Sequence, residues 1–166
     1  MQIPIRKPGK YTHQKPDPHL TEAKFNELKN KLERLKKYSH PRAVEEVKRL
    51  AEMGDFSDNA AYSMAKGRLR GINQRILDIE DHLKRSLIIT PLKDSTTVQL
   101  GHHVTVEVSG RQKTYLLLGS AETDPSKGII SHNSPIGSAL IGRRVGDIII
   151  IKTLSKDVEY KIVRIE

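Results

Sequence analysis

Between residues 60 and 85, Ala65, Leu69, Ile72, Ile76, Ile79 and Leu83 recur in alternating steps of four and three. A repeat averaging 3.5 residues keeps one narrow apolar seam on one face of a helix, and such a seam is buried only against a second helix. At about 1.5 Å per residue, the segment predicts a rod on the order of 40 Å long. The partner stripe lies upstream, in Phe25, Leu28, Leu32 and Leu35. Thr21 is placed to cap that helix, and Lys24 at the third position means no full capping box forms. Pro41, in "YSHPRAVEEV", lacks an amide hydrogen and crowds the preceding turn, which predicts a kink or short break. Helical spacing then resumes with Val44, Val47 and Leu50 or Ala51 and stops at Gly54. Two such segments joined through "GDFSDN" make an antiparallel hairpin with its tip at residues 54–59.

After Leu87 the period changes to two. "HVTVEV", "KTYLLL", "GIIS", "DIIIIKT" and "VEYKIVRI" are β-branched or aromatic runs of strand length, separated by "SG", "DPSKG" and "SKD" turns. "SPIGSALIG" reads as a short helix opened by Ser134 and Pro135 and closed by Gly142, with Ile136, Leu140 and Ile141 expected to be buried. Helices followed by strands predict an α+β chain. It divides into an extended basic tail over residues 1–19, a helical hairpin over 20–86 and a sheet domain over 87–166. The tail carries Pro4, Pro8, Pro16 and Pro18 and is expected to be mobile.

Charge narrows the partners. The chain has a formal charge of +9, with 19 basic against 12 acidic residues up to Ser86 and 10 against 8 beyond it. A basic surplus on the hairpin fits a polyanionic neighbour. The absence of tryptophan and the presence of only two phenylalanines disfavour single-strand binding by base stacking. No apolar run approaches the roughly 18 residues of a membrane span, and the start lacks the apolar stretch of a secretory signal. With no cysteine there are no disulfides or thiolate metal sites, which fits the cytoplasm. Adjacent His102 and His103 should face opposite sides of a strand, and no histidine–carboxylate spacing of a metal site appears, so a histidine metal centre is not expected. Phosphate-binding glycine loops, nucleophile elbows and EF-hand loops are absent from the sequence.

The tip is the chemical candidate. Asp55 and Asp58 could serve as helix caps, since carboxylates suit a helix N-terminus. Three apart on a first turn, they could equally address one divalent cation or its bound water, with a partner completing the coordination. Lys48, Arg49, Lys66, Arg68, Arg70 and Arg75 lie behind them as a candidate collar for an RNA backbone, or simply as the solvated flank of a coiled coil.

The stretch "GDFSDNAAY" resembles the tip signature of the Gre family of bacterial transcription elongation factors, GD-x-x-[ED]-N-A-[ED]-Y. The resemblance continues through "RLRGINQRILDIEDHL", "ISHNSPIGSALIG" and "VGDIIIIKT" and covers nearly the whole chain after residue 20. It implies a coiled coil that enters the secondary channel of RNA polymerase and an FKBP-like C-terminal domain that docks at the channel rim. In that reading Asp55 and Asp58 hold the polymerase's second magnesium and its attacking water, which stimulates cleavage at the 3′ end of backtracked RNA. Asn59 and Tyr62 support the tip, and Ser134, Pro135 and Ile136 meet the rim. The protein itself is then not an enzyme, carries no cofactor when free and is expected to be a monomer without membrane contact. An FKBP-like fold does not bring isomerase activity with it, because residues 87–166 hold only Tyr115 and Tyr160 as aromatics for a pocket.

Three positions depart from the family pattern. Asp58 is shorter than the commoner glutamate, Ala61 replaces a third acid, and Gly137–Ser138 replace Ala-Arg in "SPIARALIG". The first two motivate a different class of activity, a channel-occluding regulator that inhibits polymerase without promoting cleavage. A basic coiled coil that binds nucleic acid without polymerase is the third reading.

Overall fold

The computed structural model describes residues 15–53, 60–91, 96–152 and 157–166. Its first element is the short strand β1 (His19–Leu20), followed by helix α1 (Glu22–Arg34). Thr21 caps α1 as expected, its Oγ1 accepting from the Lys24 amide at 3.2 Å. The stripe Phe25, Leu28, Leu32 and Leu35 is half-buried while the intervening residues are mostly exposed.

Pro41 does not break the rod. Residues Leu35–Ser39 form a π-helical turn in which the His40 amide donates to the Leu35 carbonyl, five residues back, and helix α2 (His40–Glu52) starts there with Pro41 in its first turn. A wider turn accommodates a residue that cannot donate, so the axis continues where a regular α-turn would clash. The same turn rephases the stripe. Its members become Leu35, Ser39, Ala43 and Val47, three successive steps of four, with Ala43 buried. Val44, expected on the inner face, is 41% exposed.

Helix α3 (Ala60–Arg85) returns alongside the first two. Arg68 pairs with Glu46 at 2.6 Å and Lys36 with Glu80 at 2.5 Å, which sets an antiparallel register. Ala65 is buried and Leu69, Ile72, Ile76, Ile79 and Leu83 are half-buried, as a slender rod with a single seam requires.

Beyond α3 come β2 (Leu87–Ile88), β3 (His103–Val108), β4 (Arg111–Leu118), β5 (Ile129–Ser131), helix α4 (Pro135–Leu140), β6 (Ile148–Lys152) and β7 (Asp157–Ile165). The last five strands form one sheet in the order β5-β4-β3-β7-β6. Its pairings are antiparallel except β4 with β5, which the 3₁₀ turns after β4 deliver in parallel. Inward residues alternate along β3 and β6, and Val104, Val106, Leu117, Ile149, Ile151 and Ile162 meet Val98 and Leu140 of α4 in one core. Ile141, expected inside, is 38% exposed because α4 ends at Leu140.

Rod and sheet domain meet at a joint made by the segment before α1. β1 pairs in parallel with β2, and Leu20 is fully buried. Asp17 is the centre of the joint, with a side chain only 4% exposed. Its carboxylate accepts from the Ser120 amide at 2.8 Å and from the His19 amide and Nδ1 at 3.0 and 2.9 Å, and its carbonyl accepts from His82 Nε2 at 2.9 Å. Burial pushes the Asp17 carboxyl up, but the Ser120 and His19 amides, the His19 ring and the charge of His132 outweigh it and hold the group below the ordinary aspartate value. Glu122 adds a second tie, accepting from the Thr21 amide at 2.8 Å and its Oγ1 at 2.5 Å. Residues Lys15–His19 of the proline-rich segment are therefore engaged; residues 1–14 lie outside the described residues.

The joint depends on Gly119, where any side chain would overlap the His19 carbonyl. Gly119→Ala is expected to cost about 1–3 kcal/mol through forced displacement of the arm. Gly67→Ala, at an open position inside α3, should instead add roughly 0.5–1 kcal/mol by stiffening the unfolded chain. Thermal unfolding of both variants checks this pair; a Gly119→Ala protein as stable as the parent would contradict the close approach.

Candidate functional site

Asp55, Asp58 and Asn59 lie outside the described residues, between the ends of α2 and α3. α2 closes at Met53 and α3 opens at Ala60, and both Met53 and Met64 are largely exposed. α3 ends beside the joint, so its start stands about 40 Å of helix away from the sheet domain. Tyr62 is half-buried in the first turns of α3, and Lys66 Nζ lies 5.2 Å from its ring centroid, a cation–π distance.

The expected collar residues lie on more than one face of the rod. At about 100° per residue, Lys66 and Arg70 share one face of α3, turned away from the Ala65–Leu83 seam, whereas Arg68 and Arg75 flank the seam on another. All four are exposed, but Arg68 is committed to Glu46 across the rod. Lys48 lies 4.0 Å from Glu52 one turn on, with both side chains mostly in solvent, and Arg49 is exposed beside it. Along α3 the four cations extend from roughly 9 Å to roughly 22 Å beyond Ala60, on two faces of the helix. Both faces can attract a phosphate backbone, and Lys66 and Arg70 are the pair turned away from the seam.

At the other end, α4 shows which of the three rim candidates are spoken for. Ser134 Oγ accepts from the Gly137 amide at 3.0 Å and donates to the Ser131 carbonyl at 2.6 Å, so its hydroxyl caps the helix. Ile136 packs on the core, and Pro135 is the exposed member. Gly137 has a reason of its own: a side chain there would overlap the Ser131 carbonyl, so an alanine requires the backbone to move.

Sequence spacing led to no histidine centre, yet folding gathers Asp17, His19 and His132 at the joint, their ligand atoms within 4.8 Å of one another. The local signal was Asp-Pro-His, where a bend at Pro18 lets the His19 amide and ring both reach the Asp17 carboxylate. The third member comes from a turn more than a hundred residues on. His102 and His103 do divide as expected, one buried and one exposed. Among the described residues no helix is long and apolar enough to cross a membrane.

With this geometry established, comparison with known proteins adds two family models. One described as "Transcription elongation factor, N-terminal" matches residues 19–88, and one described as "Transcription elongation factor, GreA/GreB, C-term" matches residues 93–166. The chain is 36% identical over 149 residues to transcription elongation factor GreA of Thermomicrobium roseum, covering 89% of this chain and 96% of that one. It is 40% identical over 130 residues to GreA of Macrococcus caseolyticus, covering 77% and 82%. Among solved structures, GreA factor homolog 1 of Thermus thermophilus aligns with 30% identity and a TM-score of 0.40 over 89% of this chain and 97% of that one.

The α4 geometry separates folding from docking. Ser134→Ala should lower stability by about 1–2 kcal/mol through loss of the cap. Pro135→Ala should cost less than about 1 kcal/mol. Denaturant unfolding of the two variants measures the difference, and equal losses would contradict the assigned roles.

Proposed function

Because this chain belongs to the GreA/GreB family of transcription elongation factors, we propose that it binds RNA polymerase and stimulates hydrolysis of backtracked RNA by the polymerase's own active centre. The observation that carries the reading is a long shaft whose helix α3 begins at Ala60, about 40 Å of helix from the sheet domain, in a sequence that reads "GDFSDNAAY" over residues 54–62. A tip on such a shaft can be delivered through the secondary channel while the sheet domain stays at its rim.

In this reading Asp55 and Asp58 supply two carboxylates, the hard oxygen donors that suit magnesium, while the polymerase and the RNA phosphates supply the remaining oxygens. The donor chemistry fits the ion, and two acids alone make too weak a site for the free protein to hold it. When bound, magnesium lowers the pKa of a water and steadies the charge that develops on the scissile phosphate. The chain's own residues position the acids, with Asn59 and Tyr62 supporting the tip. Lys66 and Arg70 attract the extruded RNA backbone, and Pro135 meets the rim beside the capped α4.

Asp58 and Ala61 favour one competing reading, a factor that occupies the channel and inhibits. One assay decides between them. A stalled, backtracked elongation complex is mixed with the protein, and release of the short 3′ RNA fragment is followed over time. Acceleration is expected, falling roughly 10- to 100-fold in Asp55→Asn and Asp58→Asn with polymerase binding retained. Slower release with the parent protein identifies the inhibitor, and unchanged acceleration in both variants removes the two aspartates from the mechanism.

A further inference from the structure

Asp17, His19 and His132 meet where the rod joins the sheet domain, far along the chain from the tip acids. His19 Nδ1 lies 2.9 Å from one carboxylate oxygen of Asp17, and His132 Nδ1 lies 3.4 Å from the other. Ligands bound at 2.0–2.1 Å on the corners of a tetrahedron are about 3.3–3.4 Å apart. These two contacts run to different oxygens of the carboxylate, but one ligand atom from each residue can be chosen so that all three lie within 4.8 Å of one another, and closing them to such a polyhedron takes at most about 1.5 Å per edge.

The surroundings are those of a ligand set. The carboxylate is oriented by the Ser120 and His19 amides, and Asn133 Nδ2 stands 3.5 Å from Oδ2, the outer hydrogen bonding that fixes metal-bound carboxylates. His132 Nδ1 also lies 3.4 Å from the Leu118 carbonyl, a contact and a proton that it gives up on ligating a metal. An open cavity of about 800 Å³, lined by all three residues with Ser120 and Asn133, reaches the cluster from solvent and has room for water in a fourth position. Lys15 and Arg85 line the same cavity, but Arg85 is held by Asp81 at 2.9 Å and by the Pro16 carbonyl at 3.4 Å.

We infer that Asp17, His19 and His132 bind a divalent transition cation of the zinc class, with water as fourth ligand, and that the ion fastens the helical rod to the sheet domain. Imidazole and carboxylate donors together suit such a cation, whereas magnesium and calcium prefer oxygen alone. The inference stands apart from the tip chemistry, which uses other residues and another ion.

The test is titration of the metal-free, full-length protein with zinc and, in parallel, with cobalt as a spectroscopic substitute. One equivalent is expected to bind, to raise the thermal unfolding midpoint and to give cobalt the intense visible absorption of four-coordination. His19→Gln and His132→Gln should each weaken binding on the order of tenfold or more, while His103→Gln, at an exposed histidine on β3, leaves it unchanged. Nitrogen resonances of the imidazoles in the parent protein decide the matter even if a variant misfolds: zinc must move the Nδ1 signals of His19 and His132. Absence of saturable binding, equal weakening by His103→Gln, or unmoved His19 and His132 signals at saturating zinc overturns the site.

Discussion

One buried carboxylate sets the geometry of the whole molecule. Asp17 is tied through its carbonyl to His82 near the end of α3, through its side chain to Ser120 and His132 of the sheet domain, and to its own neighbour His19. A buried anion left without donors costs several kcal/mol, whereas one with amides and imidazoles around it is locked in place. The parallel pairing of β1 with β2 and the clamp of Glu122 on Thr21 act on the same short segment. The direction of the rod relative to the sheet thus rests on few residues, nearly all within Asp17–Thr21.

The rest of the fold divides labour according to burial. The sheet domain has a true core, with Val104, Val106, Leu117, Leu140 and Ile162 fully enclosed. The rod has almost none; α1 buries no residue completely and α3 buries only Ala65 and His82. Two or three helices side by side cannot enclose more, so the shaft relies on a continuous half-buried seam and on cross-helix pairs such as Arg68 with Glu46. What it gains is reach. A thin shaft carries the start of α3 farther from the sheet domain than a globular fold of this size could.

Much of this was legible in the residues themselves. The Ala65–Leu83 heptad predicted α3, the alternating runs predicted the strands, and Ser134 predicted the start of α4, because in each case a local period or cap decides the local structure. Family membership was legible in the tip and α4 motifs. The misreadings have a shared cause. Val44, Ile141 and the expected break at Pro41 were judged from nearest neighbours, whereas a π turn, the end of α4 at Leu140 and packing across the rod decided them. The joint was invisible for a stronger reason: Asp17 and His132 are brought together only by the completed fold, and no spacing rule spans such a distance.

The π turn at Leu35–Ser39 has a further implication for how the shaft tolerates changes of length. A turn closed from residue 40 to residue 35 contains one residue more than a regular one. It is the mark an insertion leaves when both flanking stripes must keep facing the same neighbour. Deleting a single residue there would keep Phe25–Leu32 and Ala43–Leu50 in phase against α3, at the cost of pressing Pro41 against the regular turn that the wide one avoids. A deletion anywhere else along the first arm would rotate one half of it by about 100° and turn its apolar side to water. The shaft therefore contains one place where its length can vary by a residue without losing its seam.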